Sequence, residues 1–397
     1  MAHLSPVSLS QQDLMTAVMQ WLVSLVLCVA LTHALIARPK TVTSSCLATL
    51  RGGPGRLSSS SFAMRGRPGR LSSFSFARGT ALPAGGDNDD GTLRYFDNIE
   101  DLQQWESATA DTRQRSEPLA RDFPALPRRR RVIHCHDYAG GYTQSADEDY
   151  LATFSSWALF DVFIYFSHHR VVVPPRIWIE KAHQEHKMVL GTFLFEGRWD
   201  SSQAQAFLGS EETWQKCADR LVDLCVFYGF DGWLMNVEAS LGESRGAFVS
   251  FLSYVRLSMK ERVGGHAQVI YYDAHNEDGV FKHQDALLHS NKAYFEACDG
   301  IFINYRWFDY DTVARSKMVA GDRQFDVYAG VDVWARNCEY NEGPGCKKAV
   351  DRATSGGVSV AMFAPGWVQE KGPGIKELPG SEAARRLDDV FWSEILL

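Results

Sequence analysis

The sequence predicts an α/β chain whose folded part is a single (β/α)8 TIM barrel behind a disordered N-terminal leader. Three observations carry this prediction. Eight short runs rich in Val, Ile, Phe and Tyr recur between residues 131 and 367, with starts 26–41 residues apart. The stretches between them are long enough for a returning helix each, as in WQKCADRLVDLCVFY (214–228). The runs are nearly continuous apolar segments, as expected of strands buried on both faces. Eight such units suit a closed parallel barrel of about 250 residues. A doubly wound open sheet is the alternative, but no glycine-rich phosphate loop follows the first run.

Taken in order, residues 1–40 read as a hydrophobic signal-anchor or targeting segment. Residues 15–37 contain no Asp, Glu, Lys or Arg, and about 20 apolar residues suffice to span a bilayer. Arg38, Lys40 and Arg51 follow it, a bias that leaves the downstream chain cytoplasmic if the segment is an anchor. A cleaved signal near Ala34 or Ala37, with secreted or organellar targeting, competes with that reading, although no positive residue precedes the segment. Residues 41–130 read as a low-complexity Ser/Gly/Arg-rich linker and acidic lead-in. RGGPGRLSSSSFAM (51–64) and RGRPGRLSSFSFAR (65–78) are tandem copies, too few for a solenoid and too polar to form a core. TLRYFDNIEDLQQWE (92–106) reads as a short ordered lead-in, and Arg128–Arg131 as solvated.

Residues 131–397 form the expected catalytic barrel. Its eight strands are RVIHCHD (131–137), DVFIYFS (161–167), MVLGTFLFE (188–196), GFDGWLMNVE (229–238), QVIYYDA (268–274), GIFINY (300–305), DVYAGVD (326–332) and VSVAMFAPGW (358–367). Hydrophobic residues make up 45% of the chain and charged residues 22%, which excludes global disorder. The net charge of −7 divides into +7 over residues 1–86 and −14 over the remainder. An acidic folded part argues against nucleic acid as a partner. The eight cysteines form no CxxC, so zinc-ribbon and thioredoxin-like readings fail. Cys338 and Cys346 are close enough in sequence for a local disulfide, but a barrel of this size needs none and free thiols are favoured. No N-x-S/T sequon occurs.

In such a barrel the active site lies at the C-terminal ends of the strands. Those ends supply His136, Asp137, His168, His169, Glu196, Asn236, Glu238, Tyr272, Asp273, Asn304, Tyr305, Asp332 and Trp367. Carboxylates, amides and aromatics converging on one mouth suit a carbohydrate. Asn236 and Glu238 are two apart on a strand, so they share a face. An amide beside a carboxyl differs from the two-carboxylate pair of most glycosidases. Glu238 is able to protonate a glycosidic oxygen, whereas Asn236 cannot be a nucleophile and is suited to holding a substrate group. A 2-acetamido sugar brings its own nucleophile, the acetamide oxygen, and then needs only an acid/base and an orienting group. Burial beside Trp233 is expected to keep Glu238 protonated. A hydrogen-bond network that merely caps the strand ends explains the same pair. His134, His136 and Asp137 lack a third partner with metal-ligand spacing, so no metal and no cofactor are expected.

The motifs CHDYAGGY (135–142), DVFIYFSHH (161–169), PPRIW (174–178), LGTFLFE (190–196), FDGWLMNVE (230–238), YYD (271–273), CDGIFINYRW (298–307), DVYAGVDVWAR (326–336) and VAMFAPGW (360–367) occur in that order. Together they resemble the endo-β-N-acetylglucosaminidases of glycoside hydrolase family 85, which cut the chitobiose core of N-glycans. The resemblance implies substrate-assisted retaining catalysis through an oxazoline. It assigns the acid/base to Glu238, the acetamide-orienting role to Asn236 and closure around the acetamide to Tyr272. The candidate sugar contacts are His136, Asp137, His169, Glu196, Trp233, Asp273, Asn304, Tyr305, Trp307, Asp332 and Trp367. N-glycans, free oligosaccharides or glycopeptides are the implied substrates, and the cytoplasm the implied location.

The chain departs from the family pattern at three places. Gly197 follows Glu196 where a Trp is usual, with Trp199 nearby. Tyr271-Tyr272-Asp273-Ala274 replaces a WYDS-like motif, and His283-Gln284 stands where Trp-Gln is usual. The resemblance also leads one to expect β-sandwich modules after the barrel, whereas this sequence runs one helix past the eighth strand. A chitinase-like enzyme of family 18, with Asp at the Asn236 position, and a non-catalytic sugar-binding barrel are the alternatives.

Overall fold

The computed structural model describes residues 93–141, 147–197, 200–307, 309–372 and 382–396. The segment at 15–37, the linker with its tandem repeat, and Trp199 lie outside the described residues. The described residues contain ten strands: β1 (Arg94–Phe96), β2 (Val132–His136), β3 (Val162–Tyr165), β4 (Val171–Val173), β5 (Met188–Glu196), β6 (Gly232–Glu238), β7 (Gln268–Tyr272), β8 (Gly300–Ile303), β9 (Val327–Asp332) and β10 (Ser359–Phe363). Eight of them, all but β1 and β4, are the eight expected runs. They pair in parallel in chain order, with β5 joined to β6 and β10 to β2, so the sheet closes into a barrel. Helices at 176–184, 211–228, 245–262, 292–297, 310–320, 347–356 and 382–396 surround it. Among the described residues, no helix is long and apolar enough to cross a membrane.

The two-residue side-chain period of each strand separates two apolar layers. Ile133, Ile164, Leu190, Leu234, Ile270, Phe302, Tyr328 and Ala361 fill the barrel interior. Phe163, Phe193, Trp233 and Tyr271 face outward and pack under the helices, where they meet Trp178 of helix 176–184 and its neighbours. Each such large side chain, fully buried, contributes about 2 kcal/mol. Helix 211–228 starts at Ser210, whose side chain accepts from the Thr213 N–H, and stops at Gly229 with φ +81°. A Cβ at Gly229 would lie 2.4 Å from the Ser116 carbonyl, so glycine serves both the left-handed turn and the close approach there.

An aspartate precedes three of the strands and stitches the base of the barrel. Asp161 accepts from Val132 N (2.9 Å), Asp231 from Val189 N (2.8 Å) and Asp299 from Val269 N (2.9 Å). Each has cationic or imidazole partners: Arg129 for Asp161, His183 and His266 for Asp231, and Arg256 with Lys260 for Asp299. Burial pushes the Asp231 carboxyl up, but hydrogen bonds from the histidines and from Val189 N–H outweigh it and leave the group below its ordinary range. Asp231 therefore anchors the strand that carries Asn236 and Glu238.

Structure precedes the barrel, in the lead-in expected at 92–106 and in the stretch that follows it. The short strand β1 pairs with β4, and β4 with β5, both antiparallel. Ser116 N–H donates to the Tyr228 carbonyl (3.1 Å). Of the arginines read as solvated, Arg128, Arg129 and Arg130 are exposed, although Arg129 pairs with Asp161 at 2.6 Å and Arg130 donates to the Thr354 carbonyl, and Arg131 is buried against Asp326. Leu93, Ile99 and Leu102 of the lead-in are buried in the core under the helices. Cys338 and Cys346 are free thiols.

Asp231→Ala should lower the unfolding free energy by about 3 kcal/mol, because it leaves buried imidazoles and a strand N–H without their acceptor. Breaking the exposed Lys347–Asp351 pair by Asp351→Ala should cost well under about 1 kcal/mol. Urea titrations of both variants check this, and equal losses would contradict the anchoring role.

Candidate active site

On β6, the residues Leu234, Asn236 and Glu238 point into the barrel, because Leu234 belongs to the interior cluster and the period is two. Their register partners on β5 are Leu194 opposite Asn236 and Glu196 opposite Glu238. Asn236 is 4% exposed. Among the described residues, no protein group hydrogen-bonds its amide. The Glu238 side chain is 27% exposed, and His283 Nε2 lies 3.8 Å from its Oε1, beyond hydrogen-bond length. Glu196 is different: His168 Nδ1 lies 2.7 Å from its Oε1. Of two neighbouring carboxylates at the mouth, one is held by an imidazole and the other has no hydrogen bond from the described residues.

Tyr272, from β7, stands beside this pair. Its hydroxyl donates to Asn304 Oδ1 at 2.8 Å, and Asn304 Nδ2 donates to Asp285 Oδ1 at 2.6 Å. Asp285 also accepts from Arg306 N at 3.0 Å. Burial, then the nearby Glu238 and Asp273 carboxylates, push the Tyr272 phenol well above its ordinary range, so it remains a donor. Tyr305 packs beside it, with ring centroids 6.3 Å apart.

Across the mouth, Asp332 accepts from Arg336 Nε (2.8 Å) and Nη2 (2.9 Å), a bidentate clamp. Burial holds the Asp137 carboxyl up, against the charges of His168 and Arg336. Hydrogen bonding to Glu196 raises the His168 imidazole. The turn Ala139–Gly141, with φ of 52°, 83° and 68°, brings Gly141 close against His168 and Asp137. Asp137, Glu196, Asn236, Glu238, Tyr272, Asn304, Tyr305 and Asp332 thus come to one end of the barrel.

Other expected contacts are elsewhere. His136 points outward and packs against Trp178 (4.6 Å) and Tyr150 (5.0 Å), since Ile133, Cys135 and Asp137 take the inward positions of β2. Trp233 is three residues from Asn236 and so lies on the opposite face, where its Nε1 donates to the Leu221 carbonyl at 3.1 Å. It cannot shield Glu238. Trp307 is buried outside the barrel wall and donates to the Gly330 carbonyl at 2.9 Å. Asp273 follows the inward Tyr272 and ties down a loop, accepting from Asn291 Nδ2 (3.0 Å) and Gln284 N (3.1 Å). His169 stacks on Tyr95 at 3.5 Å and meets Asp97 at 2.7 Å, which pins the lead-in to the barrel. Trp367 is half-buried, with its ring against Gly343. The sequence reading missed Asp285 and Arg336. Arg336 had a signal, its i+4 spacing from Asp332; Asp285 had none.

An unbonded carboxyl and amide on one strand, in a barrel mouth lined by polar groups, define a glycosidase-like site. The sequence profile of glycosyl hydrolase family 85 matches residues 136–395. The chain belongs to that family of glycoside hydrolases, which sets aside the family 18 alternative. It is 39% identical over 285 residues to the cytosolic endo-beta-N-acetylglucosaminidase of Homo sapiens, covering 70% of this chain and 38% of that protein. It is 40% identical over 263 residues to cytosolic endo-beta-N-acetylglucosaminidase 1 of Arabidopsis thaliana, covering 64% of this chain and 38% of that protein. The chain thus spans about two fifths of the length of these curated relatives. The barrel resembles the glycoside hydrolase domain of Spr0440, Endo-D from Streptococcus pneumoniae R6, with a TM-score of 0.58 at 20% identity, covering 75% of this chain and 50% of that one.

Burial pushes the Asp273 carboxyl from 3.8 up to about 7, against hydrogen bonds from Asn291 and Gln284. The folded chain therefore keeps a proton that the unfolded chain loses near pH 4. Stability should fall as pH rises from about 4 to about 7 and then level off. Asp273→Asn should remove that component of the slope in urea titrations across this range. An unchanged slope would contradict the assignment.

Proposed function

We propose that this chain is the catalytic barrel of an endo-β-N-acetylglucosaminidase that hydrolyses the GlcNAc-β1,4-GlcNAc bond of the chitobiose core of N-glycans. One observation carries the reading: Asn236 and Glu238 share the inward face of β6, and among the described residues neither is hydrogen-bonded by the protein. A pair that only capped the strand ends would be bonded within a network. An amide with no protein partner at the barrel mouth is free to hydrogen-bond a bound acetamide. The names of the relatives support the same substrate class and a cytoplasmic site of action.

In the first step, Asn236 Oδ1 accepts the substrate acetamide N–H and turns the acetamide oxygen toward the anomeric carbon. That oxygen bonds to C1 as the C1–O4 bond breaks, and Glu238 gives its proton to the departing O4. The product is an oxazolinium, and Glu238 is left as carboxylate. Tyr272, kept a phenol and oriented by Asn304, closes beside the acetamide. In the second step, Glu238 takes a proton from water as the water oxygen bonds to C1 and the oxazoline ring opens. No cofactor is needed. Asp137, Glu196, Asn304, Tyr305 and Asp332 are proposed sugar contacts. N-glycans, free oligosaccharides and glycopeptides are the proposed substrates.

Incubation of the full chain with a high-mannose glycopeptide should yield a peptide bearing a single GlcNAc, read by mass spectrometry. Glu238→Gln should reduce release by about a thousand-fold. Asn236→Ala should suppress cleavage while a supplied sugar oxazoline is still consumed. Release that survives Glu238→Gln would overturn the assignment.

A further inference from the structure

His283 lies in the loop after β7, at the position where the family resemblance leads one to expect tryptophan. Its Nε2 is buried without a hydrogen-bond partner and lies 3.8 Å from Glu238 Oε1. The ring is held edge-on between Tyr272 (5.6 Å) and Phe281 (5.2 Å), so it is aimed at the carboxylate. The charged and titratable groups around it are Glu238 from β6, Asp273 at the end of β7, Asp285 in its own loop, and His275, whose imidazole burial and His283 both hold down. Burial disfavours a charged His283, but the three carboxylates outweigh it and raise the imidazole above its ordinary range.

We propose that His283 is a positioning residue that pairs with Glu238 and sets the pH window of turnover, an inference that rests on the endoglycosidase reading above. Glu238 must be protonated for the first step and ionised for the second. An imidazolium 3.8 Å away favours the ionised form. When the pair holds one proton, His283 competes with Glu238 for it, and an uncharged side chain at position 283 would remove that competitor. The same cation extends the working range of the base toward lower pH. An uncharged tryptophan could do neither, so this chain should differ from relatives that carry one.

Two measurements on the full chain test this. In the first, the pH profile of kcat/KM is compared for the wild type and His283→Gln. The alkaline limb should move up by about one pH unit in the variant. In the second, the His283 imidazole is titrated by NMR in the wild type and in Glu238→Gln, and its midpoint should fall by about one pH unit in the latter. The NMR comparison needs no turnover, so it still tests the pairing if His283→Gln does not fold. A midpoint that does not move overturns the pairing. An active wild type whose alkaline limb is matched by His283→Gln overturns the role in turnover alone. A wild type that releases nothing at any pH overturns the function reading, and the role in turnover with it.

Discussion

The two-residue alternation of β6 is the constraint on which the rest of the structure depends. In seven residues it must pack the outer layer and supply the active site. Trp233, Met235 and Val237 are buried outward, and the same geometry sends Leu234, Asn236 and Glu238 inward. A slip of one residue would exchange the two sets, burying a carboxylate under helices and placing an indole in the mouth. The register is held by seven consecutive partners on β5 and by Asp231 at the base. The apolar side of the strand thus fixes the position of the catalytic side.

The mouth then divides by charge. On one side, each carboxylate has a cationic or imidazole counterpart close by: Glu196 has His168, Asp332 has Arg336, and Asp137 lies near both. On the other, Asp285, Asn304 and Tyr272 form a chain of hydrogen bonds that ends beside Glu238. In the proposed function, the paired side offers fixed dipoles to sugar hydroxyls, and the chained side orients a phenol beside the amide and carboxyl that would engage substrate. Preorganisation of this kind places the polar groups before the substrate arrives, so little reorganisation accompanies the reaction.

Much of this was legible in the sequence, and the exceptions have physical reasons. The eight barrel strands stood out because strands buried on both faces are long apolar runs. Asn236 and Glu238 stood out because their spacing matches the strand period. The same period, applied to Trp233, would have sent it outward, and applied to β2 would have turned His136 away from the mouth. His168 and His169 could not be ordered, since the strand phase ends at Tyr165 and only the structure shows which ring reaches Glu196. The ordered lead-in at 92–106 was legible, whereas the course of residues 107–130 was not, because arginine ion pairs and backbone bonds hold much of it and composition registers neither. Trp307 lies in a loop beyond its strand and Trp367 opens a short helix, where strand periodicity gives no orientation.

The central claim is that the substrate acetamide, held by Asn236, is the nucleophile and Glu238 the acid and then the base. The most direct measurement is the anomeric configuration of freshly released glycan, followed by proton NMR before mutarotation equilibrates it. Two displacements at C1, the first by the acetamide oxygen and the second by water, predict that the β anomer appears first. Initial appearance of the α anomer would mean direct attack by water and would contradict the account.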